Sequence, residues 1–353
     1  MNFNVNDDFQ GHLYDGNSMK RRIIYSLEIL VSVLVVGGLL WVAFYVKPQT
    51  DVASVEPALF GYRNNFYSVV VPKDDRQVVW AVGTGGRIIR SEDAGKVWVI
   101  QKSPSQKNLQ DIAALNKTTA LVVGDQGTVL VTDDAGQTWT EVGVPTREFG
   151  DQLLQAYVES DTNRWWITGT FGTVLRSLDN GQTWTMVHPQ VDVAWNDLTV
   201  APDGTVWIVG EFGQIRRSQD GSETWEDVQI DTEISLMSMA FADKYRAVVV
   251  GLSGTVAHSN DAGVSWQMVS TGHEEHLFDV DWTGQDYAVV GNAGMVGRAG
   301  YDGTDWDFFQ LAKNNFSWYT KLAVSEPETL YISGANLGVL KKRDWHLFQQ
   351  DQP

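Results

Sequence analysis

One turn is written into this chain at least five times. DDAGQTW at 133–139 recurs as EDAGKVW at 92–98, LDNGQTW at 178–184, QDGSETW at 219–225 and NDAGVSW at 260–266. The closing tryptophan continues into two degenerate copies, giving Trp98, Trp139, Trp184, Trp225, Trp266, Trp306 and Trp345, at intervals of 41, 45, 41, 41, 40 and 39 residues. A second marker, Gly83, Gly124, Gly169, Gly210, Gly251, Gly291 and Gly334, repeats the same number of times at nearly the same spacing. Seven copies of a unit near 41 residues restrict the fold to a repeat architecture in which neighbours bury each other's faces.

Each copy reads as four short strands. In the second copy they are LQDIAALN, TALVVGD, GTVLVTD and TWTEVGV, rich in β-branched and aromatic residues and punctuated by Gly, Asp and Asn. Forty residues and four strands per repeat describe a propeller blade. The expected fold class is therefore all-β, a seven-bladed β-propeller over residues 58–350. The ALF at 58–60 is a candidate extra strand beside the last blade.

The turn itself has a structural reading. Asp93, Asp134, Asp179, Asp220 and Asp261 can accept hydrogen bonds from backbone N–H groups of their own turn. Glycine supplies positive φ. Trp98, Trp139, Trp184, Trp225 and Trp266 open the fourth strand, where a large ring can fill the wedge between blades. The pattern Ser/Thr-x-Asp-x-Gly-x-Thr/Ser-Trp matches the Asp-box, or bacterial neuraminidase repeat. Val97 departs from it at the Thr place, and Ser222 stands where Gly belongs.

The extended pattern, best seen in GTGGRIIRSEDAGKVW and GTFGTVLRSLDNGQTW, resembles the propeller family of photosystem II stability and assembly factors. The resemblance covers all seven copies. It implies a non-enzymatic scaffold or assembly factor for an integral membrane complex, with no cofactor, no metal and no small-molecule substrate. Photosynthetic members act in the lumen. Similar proteins in other bacteria are often encoded beside resistance-nodulation-division type transporters, so such a transporter is the expected partner and a photosystem the alternative.

Two rings of residues are candidate sites. Seven residues after the marker glycine stand Arg90, Val131, Arg176, Arg217, His258 and Arg298, with Lys342 one place later in the last copy. Equivalent places in a propeller form a ring. Six basic side chains in an acidic protein are a candidate docking patch for a carboxylate-bearing partner, since Arg pairs with carboxylates in a bidentate manner. The resemblance implies a comparable arginine patch. The competing reading is that each Arg pairs with an acid of the neighbouring blade and stiffens the ring. A second ring is expected on the innermost strands, at Ser68, Asp111, Ala156, Asp197, Ser238, Asp279 and Thr320. Facing the central channel, it either holds a cation or waters or, as is more often the case, satisfies backbone groups where strands converge.

Residues 23–46 form an apolar run long enough as a helix to cross a bilayer. Lys20, Arg21 and Arg22 precede it, so the positive-inside rule places the N-terminus in the cytoplasm and the rest in the periplasm. The expected organisation is a cytoplasmic tail (1–22), an uncleaved signal anchor in the inner membrane (23–46), a linker (47–57) and the propeller; the rival reading of the apolar run is a cleaved export signal. Glu28 lies within the span and either snorkels to the interface or pairs with a polar group on another helix.

The net charge of −18 argues against a nucleic-acid surface. With no cysteine, thiolate metal sites and thiol catalysis are excluded. HEEH at 273–276 lacks the HExxH spacing of zinc proteases, and the Gly-rich turns do not open helices as phosphate loops do. Asp-boxes also occur in sialidases, which keeps a glycosidase as the rival class. Its Phe/Tyr-Arg-Ile-Pro signature is not found, and its chemistry needs two carboxylates at a set separation.

Overall fold

The computed structural model describes residues 16–45, 60, 64–147 and 150–348, with side chains of the helix over 20–41. The chain divides into two units, Met1–Pro57 and Ala58–Pro353. The first contains helix α1 (Gly16–Tyr45). Its stretch Lys20–Trp41 is long and apolar enough to cross a membrane. The helix begins seven residues earlier than expected, inside the segment read as tail. GNSMKRR contains no proline, so a polar helical turn continues the apolar run. Val46, residues 1–15 and the linker at 47–57 lie outside the described residues.

The second unit is the seven-bladed propeller. Blade 1 comprises β1 (Phe66–Val70), β2 (Val79–Gly83), β3 (Ile88–Ser91) and β4 (Val99–Gln101), paired in that order as an antiparallel meander. The other blades repeat this order over 109–141, 153–186, 195–228, 236–268, 277–310 and 319–347. First strands of neighbouring blades touch each other around the axis. The second strand of each blade is buried from end to end in six blades and nearly so in the seventh. That is why sequences such as VWAVG and AVVVG are apolar without alternation: both faces meet a neighbouring blade. Fourth strands form the exposed rim.

Among the described residues the core consists of seven clusters, one per wedge between blades. Each repeat tryptophan lies in the wedge toward the preceding blade, as Trp139 does against Trp80 and Val82. At about 25 cal/mol per Å² of apolar surface, such indoles are among the largest single contributions to each wedge.

The marker glycine ends the second strand. A Cβ on Gly83 would strike the carbonyl oxygen of Asn65, so the backbones meet where no side chain fits. The turns joining strands 1–2 and the Asp-box turns joining strands 3–4 emerge at one end of the ring, the Asp-box end. The 2–3 turns and the links between blades emerge at the other, the connection end.

Among the described residues no extra strand joins the last blade. The last blade draws all four strands from 319–347. Phe60 forms no strand, and Ala58 and Leu59 lie outside the described residues. Blades 7 and 1 are instead joined by aromatics from both ends of the domain. Phe60 packs on Phe66 and Trp98, with ring centroids 5.9 and 6.3 Å apart, and Phe348 packs on Trp98 and Tyr331. Thr320 Oγ1 donates to Tyr67 O at 2.8 Å, and Tyr331 Oη to Ala94 O at 3.1 Å.

Candidate functional site

The Asp-box carboxylates are consumed by their own turns. In blade 2, Asp134 Oδ1 accepts from Thr132 Oγ1 and from Thr138 N, each at 2.9 Å, while Oδ2 accepts from Thr138 Oγ1 at 2.7 Å. Thr132 Oγ1 in turn accepts from Gly136 N. Blades 3, 4 and 5 repeat this network around Asp179, Asp220 and Asp261. Hydrogen bonds to the charged form stabilise it. The Thr183 hydroxyl and amide bring Asp179 down to about 2, and Thr224 does the same for Asp220. In blade 1, Asp93 keeps the amide bond from Val97 at 2.8 Å, but Val97 has no hydroxyl to donate.

The basic ring is largely occupied within the protein. Its positions lie on the third strands, near the Asp-box end, in six blades; in blade 7, whose 2–3 turn is shorter, strand pairing puts Val339 at the equivalent place, and Lys342, expected in the ring, lies in the turn beyond the strand. Arg90 covers the Trp80 ring at 4.9 Å, pairs with Glu92 and donates to Lys117 O of the next blade at 3.2 Å. Arg176 donates to Gly221 O and, at 3.1 Å, to Ser222 Oγ, both in the Asp-box of the next blade. Arg298 binds Asp286 at 2.8 Å and Pro327 O of the next blade at 3.2 Å. Arg217 pairs with Glu226 of its own blade at 3.2 Å, and the buried His258 contacts Asn260. Lys342 is exposed and lies 3.7 Å from Glu328. Three of the six residues thus bridge blades, through backbone carbonyls more than through a neighbour's acids.

The inner ring exists, with two positions shifted by one residue. Strand pairing makes Ser68, Asp111, Gln155, Asp197, Ser238, Asp279 and Lys321 equivalent, because each follows the same bulge opposite the residue before the marker glycine. Ala156 and Thr320, expected in the ring, are neighbours of its true members. A local pattern marks the position: apolar-x-polar-apolar, as in FYSV, LQDI, LLQA, WNDL, LMSM, LFDV and YTKL.

The ring is a belt. Asp111 Oδ2 accepts from Ala156 N at 2.9 Å, Gln155 Oε1 from Leu198 N, Asp197 Oδ2 from Met239 N at 2.7 Å and Asp279 Oδ2 from Leu322 N at 2.9 Å. Ser68 and Ser238 accept more weakly from Ile112 N and Val280 N, at 3.4 and 3.3 Å. In six junctions a side chain satisfies an edge N–H of the next blade's first strand, which otherwise has no partner. Lys321 cannot accept, so the closing junction uses Thr320 instead.

The belt lines an axial cavity of about 500 Å³. Lys321 Nζ lies 3.5 Å from Asp279 Oδ1. Burial opposes the lysine's charge, but Asp279, Asp111, Asp197 and Asp281 together push its pKa up. Burial raises three of these carboxylates, Asp279 to about 7, Asp281 to about 6, and Asp197. Among the described residues no group of three or more His, Asp or Glu is placed to hold a metal. In HEEH, His276 Nδ1 accepts from Ser253 N at 2.9 Å and His273 faces Glu275 at 3.7 Å, which accounts for both rings locally.

The chain is similar to known proteins in these terms. The family model for the photosynthesis system II assembly factor YCF48 matches residues 97–193 and 218–317, more than half of the chain. A solved structure described as YCF48 bound to D1 peptide is 19% identical, with a TM-score of 0.64, covering 81% of this chain and 94% of that one. YCF48 from Cyanidioschyzon merolae is 13% identical, with a TM-score of 0.66, over 82% and 98%. A glycoside hydrolase, the GH74 enzyme of Niastella koreensis, shares the blade architecture at 13% identity and a TM-score of 0.52, over 80% and 65%. No curated protein sequence matches the chain significantly. The structural likenesses establish the propeller, and the sequence model, spanning both intact and degenerate Asp-boxes, establishes kinship: this chain belongs to the YCF48 family of photosystem II assembly factors.

Proposed function

We propose that this protein is a membrane-anchored assembly or scaffold factor whose propeller holds a membrane-protein partner. Family membership is the observation that carries this reading. The relative described as bound to a D1 peptide supports a partner that is itself a membrane protein. The apolar helix Lys20–Trp41 supports a tether, with the basic residues before it favouring a cytoplasmic N-terminus and a periplasmic propeller. The Asp-box carboxylates are fixed as turn acceptors, so the repeated acids call for no chemistry. In the finer version of this proposal the partner is a resistance-nodulation-division type transporter and the basic ring contributes to docking.

The test is purification of the full-length protein from its own membranes in mild detergent, with co-purifying proteins identified by mass spectrometry. An Arg90/Arg176/Arg217→Lys variant is carried alongside. Lysine keeps the charge while losing the planar fork that reaches two acceptors. A stoichiometric multi-pass partner supports the reading, and its loss from a variant that still unfolds cooperatively assigns docking to the ring. Absence of any membrane-protein partner refutes it.

A further inference from the structure

The connection end of the propeller carries an exposed aromatic feature that the fold does not need. In six of the seven blades the 2–3 turn has an apex residue in the left-handed region. In four blades it is small or polar: Gly85, Gln126, Ser253 and Ala293, at φ 64°, 55°, 53° and 53°. In blades 3 and 4 it is phenylalanine, Phe171 at φ 57° and Phe212 at φ 58°. A bulky residue is disfavoured there and its persistence points to a use for the side chain. Packing is not that use for Phe212, which is 63% exposed. Among the described residues no other ring and no cation lies against it.

Phe171 shows what such a ring can hold. The Arg147 guanidinium lies 3.2 Å from its centroid, and Arg147 Nε donates to Asp151 Oδ1 at 2.5 Å. A cation there sits between an aromatic face and a carboxylate. Phe212 has the ring, and acidic residues in its own turn and in the link facing it, without the cation. Glu211 precedes it, with one oxygen bound to Ala194 N at 2.8 Å. Gly213 of the same turn abuts the backbone at Thr232 and Glu233. Asp231 and Glu233 are exposed there, and Ile234 adds a further exposed apolar group.

We infer that Phe212, with Glu211, Asp231 and Glu233, is a docking point for an arginine or lysine side chain on a basic, partly apolar segment of the partner protein. The ring face attracts the cation and the carboxylates complete its charge. The proposal rests on the assembly reading for the existence of a partner, and adds a face and a chemistry. It places this contact at the connection end, opposite the Asp-box end where the basic ring lies.

Two measurements test it, both on the full-length protein in detergent or native membranes. The first is titration of a fluorescent peptide of alternating Arg and Leu against the native protein, Phe212→Gly and the control Val264→Gly. Val264 is likewise exposed, at the Asp-box end. None of the variants changes charge, so general attraction to an acidic protein is constant. Phe212→Gly is expected to weaken binding about two- to fivefold and, by releasing the left-handed strain, to raise the thermal midpoint by about 2 °C. Val264→Gly is expected to leave binding unchanged. Equal affinity in the native and Phe212→Gly proteins overturns the proposal and leaves the assembly reading intact. A fall in both affinity and thermal midpoint makes the ring structural and also overturns it.

The second measurement is photocrosslinking in native membranes from p-benzoylphenylalanine placed at 212 or at 264. An adduct from 212 that maps to an Arg- or Lys-bearing protein segment supports the proposal. Protein adducts from 264 alone, or lipid adducts alone from 212, overturn it. No protein adduct from either position tells against the assembly reading itself.

Discussion

Asp197 is the belt residue whose replacement best separates hydrogen bonding from charge. Its carboxylate accepts from Met239 N at 2.7 Å across the junction of blades 4 and 5, and the residue is 4% exposed. Asp197→Ala removes the acceptor and leaves a buried N–H without a partner, at a cost of about 2 kcal/mol. In a domain this large that lowers the thermal midpoint by about 5 °C. Asp197→Asn keeps an acceptor oxygen in the same place and removes a charge that burial already disfavours. It is expected to fall within about 0.5 kcal/mol of the native protein, or above it. The protein supplies its own precedent, because Gln155 performs the same task for Leu198 N with a neutral amide. Thermal unfolding followed by tryptophan fluorescence reads both variants. If Asn proves as harmful as Ala, the charge facing Lys321 matters more than the belt bond, and the reasoning fails. If both are neutral, the belt contributes nothing measurable.

The buried acids also set a pH dependence. Burial raises Asp279 to about 7 and Asp281 to about 6, above the ordinary carboxylate value near ~4. The folded state therefore binds more protons than the unfolded chain across roughly pH 4–7, and these groups make stability fall as pH rises through that window. The thermal midpoint is expected to drop between pH 5 and pH 7, and the Asp279→Asn/Asp281→Asn variant to flatten the slope; an unchanged slope in that variant contradicts the assignment. The Asp-box acids act with the opposite sign, since Asp179, held down to about 2, loses its stabilising effect only as pH falls from about 4 toward 2. Val97→Thr restores the hydroxyl donor that Thr138 and Thr183 provide in their turns. It should raise stability by about 0.5 kcal/mol, and calorimetry showing a loss would mean that Val97 is held by contacts of its own.

What could be read from the sequence was whatever the blades repeat identically. Seven wedges pose one packing problem, so Trp98 through Trp345 recur and count the blades. Four of the five intact Asp-boxes solve their turn with the full set of hydroxyl and amide donors to Asp, and the pattern revealed the turn before its geometry was known. The inner ring was harder to place because its distance from the marker glycine varies from 12 residues in blade 6 to 15 in blade 1, and the expected positions are off by one residue in blades 3 and 7. The apolar residue two places earlier, Leu153 or Tyr319, is the better reference, being fixed in the same wedge. Closure was not legible because Phe60 and Phe348 act as single rings, without the alternation that announces a strand. The arginines show the limit of reasoning by residue type. Arg90, Arg176 and Arg298 looked like a patch awaiting a partner, yet each finds a carbonyl on the next blade. Nothing in the sequence distinguishes Phe212; its φ of 58° and its exposure single it out. A repeat protein advertises what every blade shares; its particular function is written where one blade departs from the others.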